Sequence, residues 1–175
     1  MAEKKIDKSR RNFLFGAVRR LKKEDDQLVA STAGGIEVVK AANALYVDEK
    51  WEEARLKYKE CLEQDKNDAD VRYRLGVCSY RLGMYRQAKL EFERALRIDQ
   101  TYQDAFLYLG LTMVRLGRSE KVPALWSRYF NPSAVKVMRE LNLQLGLIET
   151  GQPDPDEEIA QAVEKAIAES GDDVG

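Results

Sequence analysis

From residue 35 onward, apolar residues recur mainly at intervals of three and four, the spacing that places them on one face of an α-helix. This periodicity is interrupted at Glu49-Lys50, at Gly83 and at Gly117. Glycine readily adopts the left-handed backbone conformation that ends many helices, so these interruptions predict turns between helices. The pattern predicts paired amphipathic helices and an all-α fold.

The predicted helix pairs repeat with a period of 34 residues. Leu75-Gly76 is repeated at Leu109-Gly110, and Gly83 is repeated at Gly117. The same lag aligns further columns: Ala54 with Ala88, Asp65 with Asp99, Tyr58 with Phe92 and Trp126, and Cys61 with Ala95 and Tyr129. A period of this length indicates a solenoid, in which a helix pair that cannot bury its own apolar face stacks on its neighbours.

The repeat resembles the tetratricopeptide repeat family, which has Leu-Gly in the first helix of a unit and Ala-x3-aromatic followed by a small residue in the second. Unit 69–102 carries Leu75-Gly76, Ala88-x3-Phe92 and Ala95. Unit 35–68 keeps the second motif but has Ala41-Ala42 for Leu-Gly. Unit 103–132 keeps Leu109-Gly110 and carries Pro123 in its second helix, which is predicted to begin near residues 119–120. The resemblance implies a tetratricopeptide-repeat helical solenoid of three helix-turn-helix units.

A pair of capping helices is predicted at residues 133–170. Asn131 and Pro132 suit the cap and first position of a helix. The apolar positions predicted to share one side of this helix are Val135, Met138, Leu141, Leu145 and Ile148. After the breaker at residues 152–155, a second helix is predicted with an apolar face and an outward acidic face; the apolar residues are Ile159, Ala162, Val163, Ala166 and Ile167. Residues 171–175 are predicted to form a frayed acidic tail.

Composition argues against catalysis and against a metal site. The chain has no histidine, which removes the commonest general base and the commonest transition-metal ligand. Its two cysteines, Cys61 and Cys78, are predicted to be inert buried residues. We therefore expect no enzyme activity, no metal and no cofactor. A net charge of -1 gives no overall field for nucleic acid, and no apolar stretch is long enough to span a bilayer.

The family resemblance implies a concave groove lined by the first helix of each unit. The positions that match the family's groove are Val39, Asn43, Tyr46, Tyr73, Val77, Tyr80, Arg81, Leu107, Leu111 and Arg115. Only Asn43 fits the clamp of Lys, Asn and Arg with which some members bind the acidic C-termini of chaperones. An apolar, tyrosine-rich groove edged by arginines favours an apolar peptide or an amphipathic helix as the ligand.

Residues 1–34 form a basic N-terminal segment, with a charge of about +7 over residues 1–23, whereas residues 151–175 carry about -7. Residues 9–14, SRRNFL, resemble the twin-arginine export motif, but the apolar run that follows is cut by Arg19-Arg20 and is shorter than a signal peptide needs. A basic amphipathic helix is predicted instead. Its docking residues are Arg10, Arg11, Phe13, Leu14, Phe15, Val18 and Leu21. The segment is expected to contact a membrane surface, a partner or the first repeat, with export as the alternative.

These observations predict a non-catalytic scaffold, adaptor or assembly factor that holds a segment of a protein partner in its groove. It is expected in the cytoplasm or peripherally on the membrane. The alternative is an accessory subunit of a membrane-associated complex, such as a respiratory complex, attached through the basic N-terminal segment.

Overall fold

A computed structural model describes residues 35–171, and all the regular structure in this range is helical. The all-α prediction is confirmed. The helices are α1 (35–47), α2 (Trp51–Gln64), α3 (Ala69–Arg81), α4 (Tyr85–Ile98), α5 (Gln103–Arg115), α6 (Val122–Trp126), α7 (Val135–Glu149) and α8 (Asp156–Gly171), with a 3-10 turn at Ser119–Lys121. Within residues 35–171, no helix combines the length and apolarity that crossing a membrane requires.

The turns between paired helices lie where the sequence predicts them. The left-handed residues are Glu49 (φ 57°), Gly83 (φ 71°) and Gly117 (φ 67°). At the second of these turns, the Gly83 amide donates to the Tyr80 carbonyl at 2.9 Å and the Met84 amide donates to the Ser79 carbonyl at 2.8 Å. This pair of hydrogen bonds is a Schellman motif, which satisfies the last carbonyls of α3 and turns the chain into α4.

Two glycines let the helices of a unit approach each other closely. A Cβ at Gly76 would lie 2.6 Å from the Phe92 ring, and a Cβ at Gly110 would lie 2.0 Å from Nε1 of Trp126. The Leu-Gly motif thus places α3 against α4 and α5 against α6 through an aromatic ring. The Trp126 indole also donates a 3.1 Å hydrogen bond to the Leu107 carbonyl, so the ring is fixed in position.

Gly110→Ala is expected to lower the free energy of unfolding by about 1–3 kcal/mol, because the added methyl group overlaps a buried indole. Urea denaturation measures the change. The matched control is Gly146→Ala in α7, where an added Cβ meets nothing within 4 Å. That variant is expected to gain about 0.5–1 kcal/mol from reduced backbone entropy in the unfolded chain. Equal shifts in the two variants would contradict this account of the packing.

The third unit departs from the prediction in its second helix. A 3-10 turn occupies residues 119–121, Pro123 lies in the first turn as expected, and α6 ends after only five residues. The predicted helix start at Asn131-Pro132 is wrong. The Ala134 amide donates to the Asn131 carbonyl at 3.1 Å and the Ser133 amide donates to the Asn131 side chain at 3.1 Å. These bonds form a turn, so α7 begins three residues later, at Val135.

The capping helices pack partly as expected. On α8, Ile159, Val163 and Ala166 are buried. On α7, Leu141 is buried, but Val135 is 68% exposed and Val137 is buried in its place. The shift follows from the late start of α7, because Val135 is its first residue and lies at the surface end of the helix.

Candidate partner-binding groove

The ten predicted groove residues lie on one side of α1, α3 and α5, and we call this side the groove face. Its members fall at equivalent positions of successive units because the helices repeat every 34 residues: Asn43 corresponds to Val77 and Leu111, and Tyr73 corresponds to Leu107. The structure therefore brings the predicted residues together on adjacent helices, but it does not leave them equally accessible.

The groove face of the third unit is covered, together with the part of the second unit that adjoins it. Val77, Tyr80, Leu107 and Leu111 are at most 4% exposed. They belong to the same apolar cluster as four residues of α8, namely Ile159, Ala160, Val163 and Ala166. The C-terminal helix packs against α5 and covers these residues, so they are not accessible to a ligand while α8 is docked.

Charged contacts fix α8 on this surface. Arg115 donates through Nη2 to both carboxylate oxygens of Glu164, at 3.0 and 3.1 Å, and through Nη1 to Glu157. The Tyr80 hydroxyl donates to Glu164 as well. Hydrogen bonds between a guanidinium and a carboxylate are stronger than those between neutral groups. The predicted outward acidic face of α8 is thus corrected for Glu164, whose side chain is 27% exposed, whereas Glu157 is 62% exposed. Arg115 is paired with both residues of α8.

Tyr80 is suited to this role as a donor. Burial raises its pKa well above the ordinary value for tyrosine, and the hydrogen bond to Glu164 adds to the shift. The hydroxyl therefore keeps its proton throughout the neutral range. Glu157, at the exposed edge of the same contact, has its pKa lowered by Arg115. The Glu157 carboxylate is thereby favoured as an acceptor facing Arg115.

The groove face remains open along α1 and, on α3, at Tyr73 and Arg81. Val39, Asn43, Tyr46 and Tyr73 are half-buried, and Arg81 is exposed. The Asn43 side chain accepts a 2.7 Å hydrogen bond from the Tyr58 hydroxyl, which fixes the amide at the base of this surface. These positions on α1 and near the two ends of α3 are the accessible part of the predicted site.

Two exposed apolar residues extend the open part of the groove face. Ile36 and Val47 lie near the two ends of α1, on the same side as Val39 and Tyr46, and are 52% and 77% exposed. Sequence reasoning missed them. The signal was present, because their spacing from Val39, Asn43 and Tyr46 places all five residues on one helical face.

Tyr73 serves as the aromatic base between the two units. Its ring lies 5.0 Å from that of Tyr102, 5.9 Å from that of Tyr108 and 6.0 Å from that of Phe92, measured between centroids. Burial raises the pKa of Tyr73 well above its ordinary value. It therefore offers a ligand a packed neutral ring.

The cysteine prediction is confirmed. Cys61 and Cys78 are both free and buried. Burial raises the pKa of the Cys78 thiol to about 12, so the reactive thiolate is strongly disfavoured at neutral pH. Within residues 35–171 no group of three or more potential ligands is arranged to hold a metal ion.

The predicted docking residues of the N-terminal segment, Arg10 through Leu21, lie outside the described residues. Helix α1, which follows that segment in the sequence, exposes positions that are buried in the next unit. Glu37 and Ala44 are exposed on α1, whereas their equivalents 34 residues later, Val71 and Cys78, are buried. Glu37 also forms an ion pair with Lys40, with Nζ and Oε1 3.0 Å apart. The first unit thus exposes Glu37 and Ala44 at positions whose equivalents in the second unit are buried.

Comparison with known proteins shows what the repeats are similar to. A sequence model described as tetratricopeptide repeat matches residues 46–109. A solved structure described as the first TPR of Spaghetti (RPAP3) bound to the HSP90 peptide SRMEEVD is 15% identical, with a TM-score of 0.53, over 77% of this chain and 93% of that chain. A crystal structure of MamA is 19% identical, with a TM-score of 0.61, over 98% of this chain and 99% of that one. No curated protein gave a significant match.

Proposed function

We propose that this protein, whose residues 46–109 are tetratricopeptide repeats, is a non-catalytic scaffold that holds a peptide or helix of a partner protein on the open part of its groove face. One observation carries the proposal. The third unit's groove positions are filled by α8, whereas α1 presents exposed Ile36 and Val47 on the same face as half-buried Val39 and Tyr46. An apolar surface with this mixture of exposed and half-buried side chains suits a helix or an extended apolar segment.

The comparisons support binding of a protein segment in general terms, because a similar solved structure holds a peptide of HSP90. We infer the chemistry of the ligand from this chain's own residues. The open groove face has apolar and aromatic side chains at positions where a carboxylate clamp needs cations and amides. The ligand we propose is therefore an apolar peptide or amphipathic helix.

The test is affinity capture from the native cell with the full chain and with the double variant Ile36→Asp, Val47→Asp. We expect the amount of partner recovered with the double variant to fall at least tenfold, because the substitutions place two charges in an apolar contact. Leu143→Asp is the matched control, since Leu143 on α7 is 54% exposed and lies outside the groove face. Partner recovery that is unchanged in the double variant, or reduced equally in the control, would contradict the proposal.

A second candidate function is that of an accessory subunit of a membrane-associated complex, attached through residues 1–34. The exposed positions of α1 favour it, because Glu37, Lys40 and Ala44 offer little apolar surface for the N-terminal segment to cap. Deleting residues 1–23 and fractionating cells tests this function. Loss of the protein from the membrane fraction is expected, and an unchanged distribution would contradict it.

Peripheral attachment at the cytoplasmic side is the location we propose, and N-terminal sequencing of the native protein tests it. Residues near Met1 are expected to be intact. A mature N-terminus downstream of residue 20 would instead support export by the twin-arginine route.

A further inference from the structure

Helix α8 shows what chemistry the groove face accepts. It is an amphipathic helix that sets Ile159 and Val163 against the apolar cluster and brings Glu164 to Tyr80 and Arg115. Glu157, seven residues earlier on the same side, reaches the same arginine. The chain thus contains a bound example of an acidic amphipathic helix on one part of its own groove face.

The residues that hold Glu164 recur one unit earlier. Tyr46 and Arg81 precede Tyr80 and Arg115 by 34 residues. The likeness extends to local geometry. The Tyr80 ring packs edge-on against Tyr85 with centroids 5.3 Å apart, and the Tyr46 ring packs edge-on against the equivalent residue, Trp51, also at 5.3 Å. We call Tyr46, Trp51 and Arg81 the open cradle.

The open cradle differs from its counterpart in lacking a carboxylate. Arg115 is paired with two glutamates, and its side chain is only 15% exposed. Arg81 is exposed and lies over the Trp51 ring, 5.8 Å from the centroid. Among residues 35–171 no carboxylate forms an ion pair with it. An arginine oriented by an aromatic ring beside a tyrosine is well placed for an incoming carboxylate.

We propose that the open cradle binds a glutamate or aspartate side chain of a partner's acidic amphipathic helix, in the way that Tyr80 and Arg115 bind Glu164. The inference rests on the proposed function and names the ligand's chemistry. Apolar residues of the partner helix pack on Val39, Tyr46 and the ring of Tyr73, while its carboxylate meets Arg81. Residues Asp156 through Glu164 of α8 serve as the template, with carboxylates seven positions apart flanking apolar positions.

The probe is a fluorescent synthetic peptide of residues 153–171, titrated onto the full chain by anisotropy. We expect Arg81→Gln to weaken binding about tenfold or more, and the peptide with Glu164→Gln to bind as weakly to the unchanged protein. Arg97→Gln, which removes an exposed arginine of α4, is the matched control and is expected to bind normally. Because Arg81 is exposed, its variant is expected to fold, and circular dichroism checks this.

Charge reversal sharpens the test. The variant Arg81→Glu is expected to reject the unmodified peptide and to bind one carrying Glu164→Lys. If Arg115→Gln abolishes binding while Arg81→Gln does not, the peptide merely replaces α8, and the proposal is wrong. Absence of binding to the unchanged protein also overturns it.

Failure of this inference is distinguishable from failure of the proposed function. If capture of a native partner depends on Ile36 and Val47 but not on Arg81, the scaffold function is supported and the proposal of an acidic ligand is wrong. A partner whose capture depends on none of the three would overturn both.

Discussion

Trp126→Ala is expected to lower the free energy of unfolding by about 3–5 kcal/mol, the usual cost of deleting a buried aromatic side chain. Trp126 is 2% exposed and packs in the space that Gly110 leaves free. The substitution also removes the indole that donates to the buried Leu107 carbonyl. Urea denaturation measures the loss. Trp51→Ala, at a half-buried tryptophan, is the control and is expected to lose clearly less.

A double-mutant cycle tests why this tryptophan matters. With the indole gone, the methyl group of Gly110→Ala no longer overlaps it, so adding Gly110→Ala to Trp126→Ala is expected to cost nothing further. The two residues act as a pair in which the glycine makes room for the ring. Strictly additive losses in the double variant would contradict that pairing.

Val163→Asp is expected to release α8 from the groove face. Val163 is fully buried in the cluster that contains Leu107 and Leu111. An unpaired carboxylate in that position costs about 3–5 kcal/mol, which is enough to favour an undocked helix over a docked one. Amide hydrogen exchange of residues 156–171 is expected to rise by more than about a hundredfold, because each 1.4 kcal/mol changes an opening equilibrium tenfold.

Ala168→Asp is the control for the release of α8. It adds the same charge to the same helix at an exposed position, so exchange is expected to stay within a few-fold of the unchanged protein. If Val163→Asp also leaves exchange unchanged, burial of α8 against α5 would be wrong.

Local features were readable from the sequence because their causes are local. Glu49, Gly83 and Gly117 end helices through their own backbone conformation, and the Leu-Gly motif reports a close approach within one unit. The burial of Cys61 and Cys78 follows from their register in the repeat. The order of helices and the buried face of each unit could therefore be predicted at the level of single residues.

The cover over the third unit could not be predicted in the same way. Whether Leu107 and Leu111 face a ligand or a neighbouring helix depends on a contact with residues about fifty positions away. One signal was present. Glu157 and Glu164 lie seven residues apart on one side of α8, beside the edge of the apolar face that carries Ala160, an arrangement that suits an arginine next to an apolar surface. The sequence does not distinguish Arg115 from Arg81 as the partner of Glu164, however, because the two arginines occupy equivalent positions of successive units.

The last helix pair shows a second limit of the repeat pattern. Gly151, with φ 72°, lies 34 residues after Gly117 and continues the register of the turns. The Leu-Gly motif does not continue, because Leu143 and Gln144 occupy its positions. Leu143 is 54% exposed and Gln144 is buried, with its amide donating to Glu140 at 3.0 Å and to Asp154 at 3.1 Å. A pair that lacks the glycine does not pack as the earlier units do, and α8 contacts α5 as well as α7.

The central claim is that α8 closes the groove face of the third unit and the adjoining part of the second, and leaves α1, Tyr73 and Arg81 open. Amide hydrogen exchange of the free full chain tests it most directly. Residues 159–166 are expected to exchange as slowly as α5, because Glu164 and the apolar cluster hold the helix in place. Arg115→Gln is expected to accelerate them and to leave α3 unchanged. Exchange of residues 159–166 at the rate of an unstructured peptide in the unchanged protein would contradict the account.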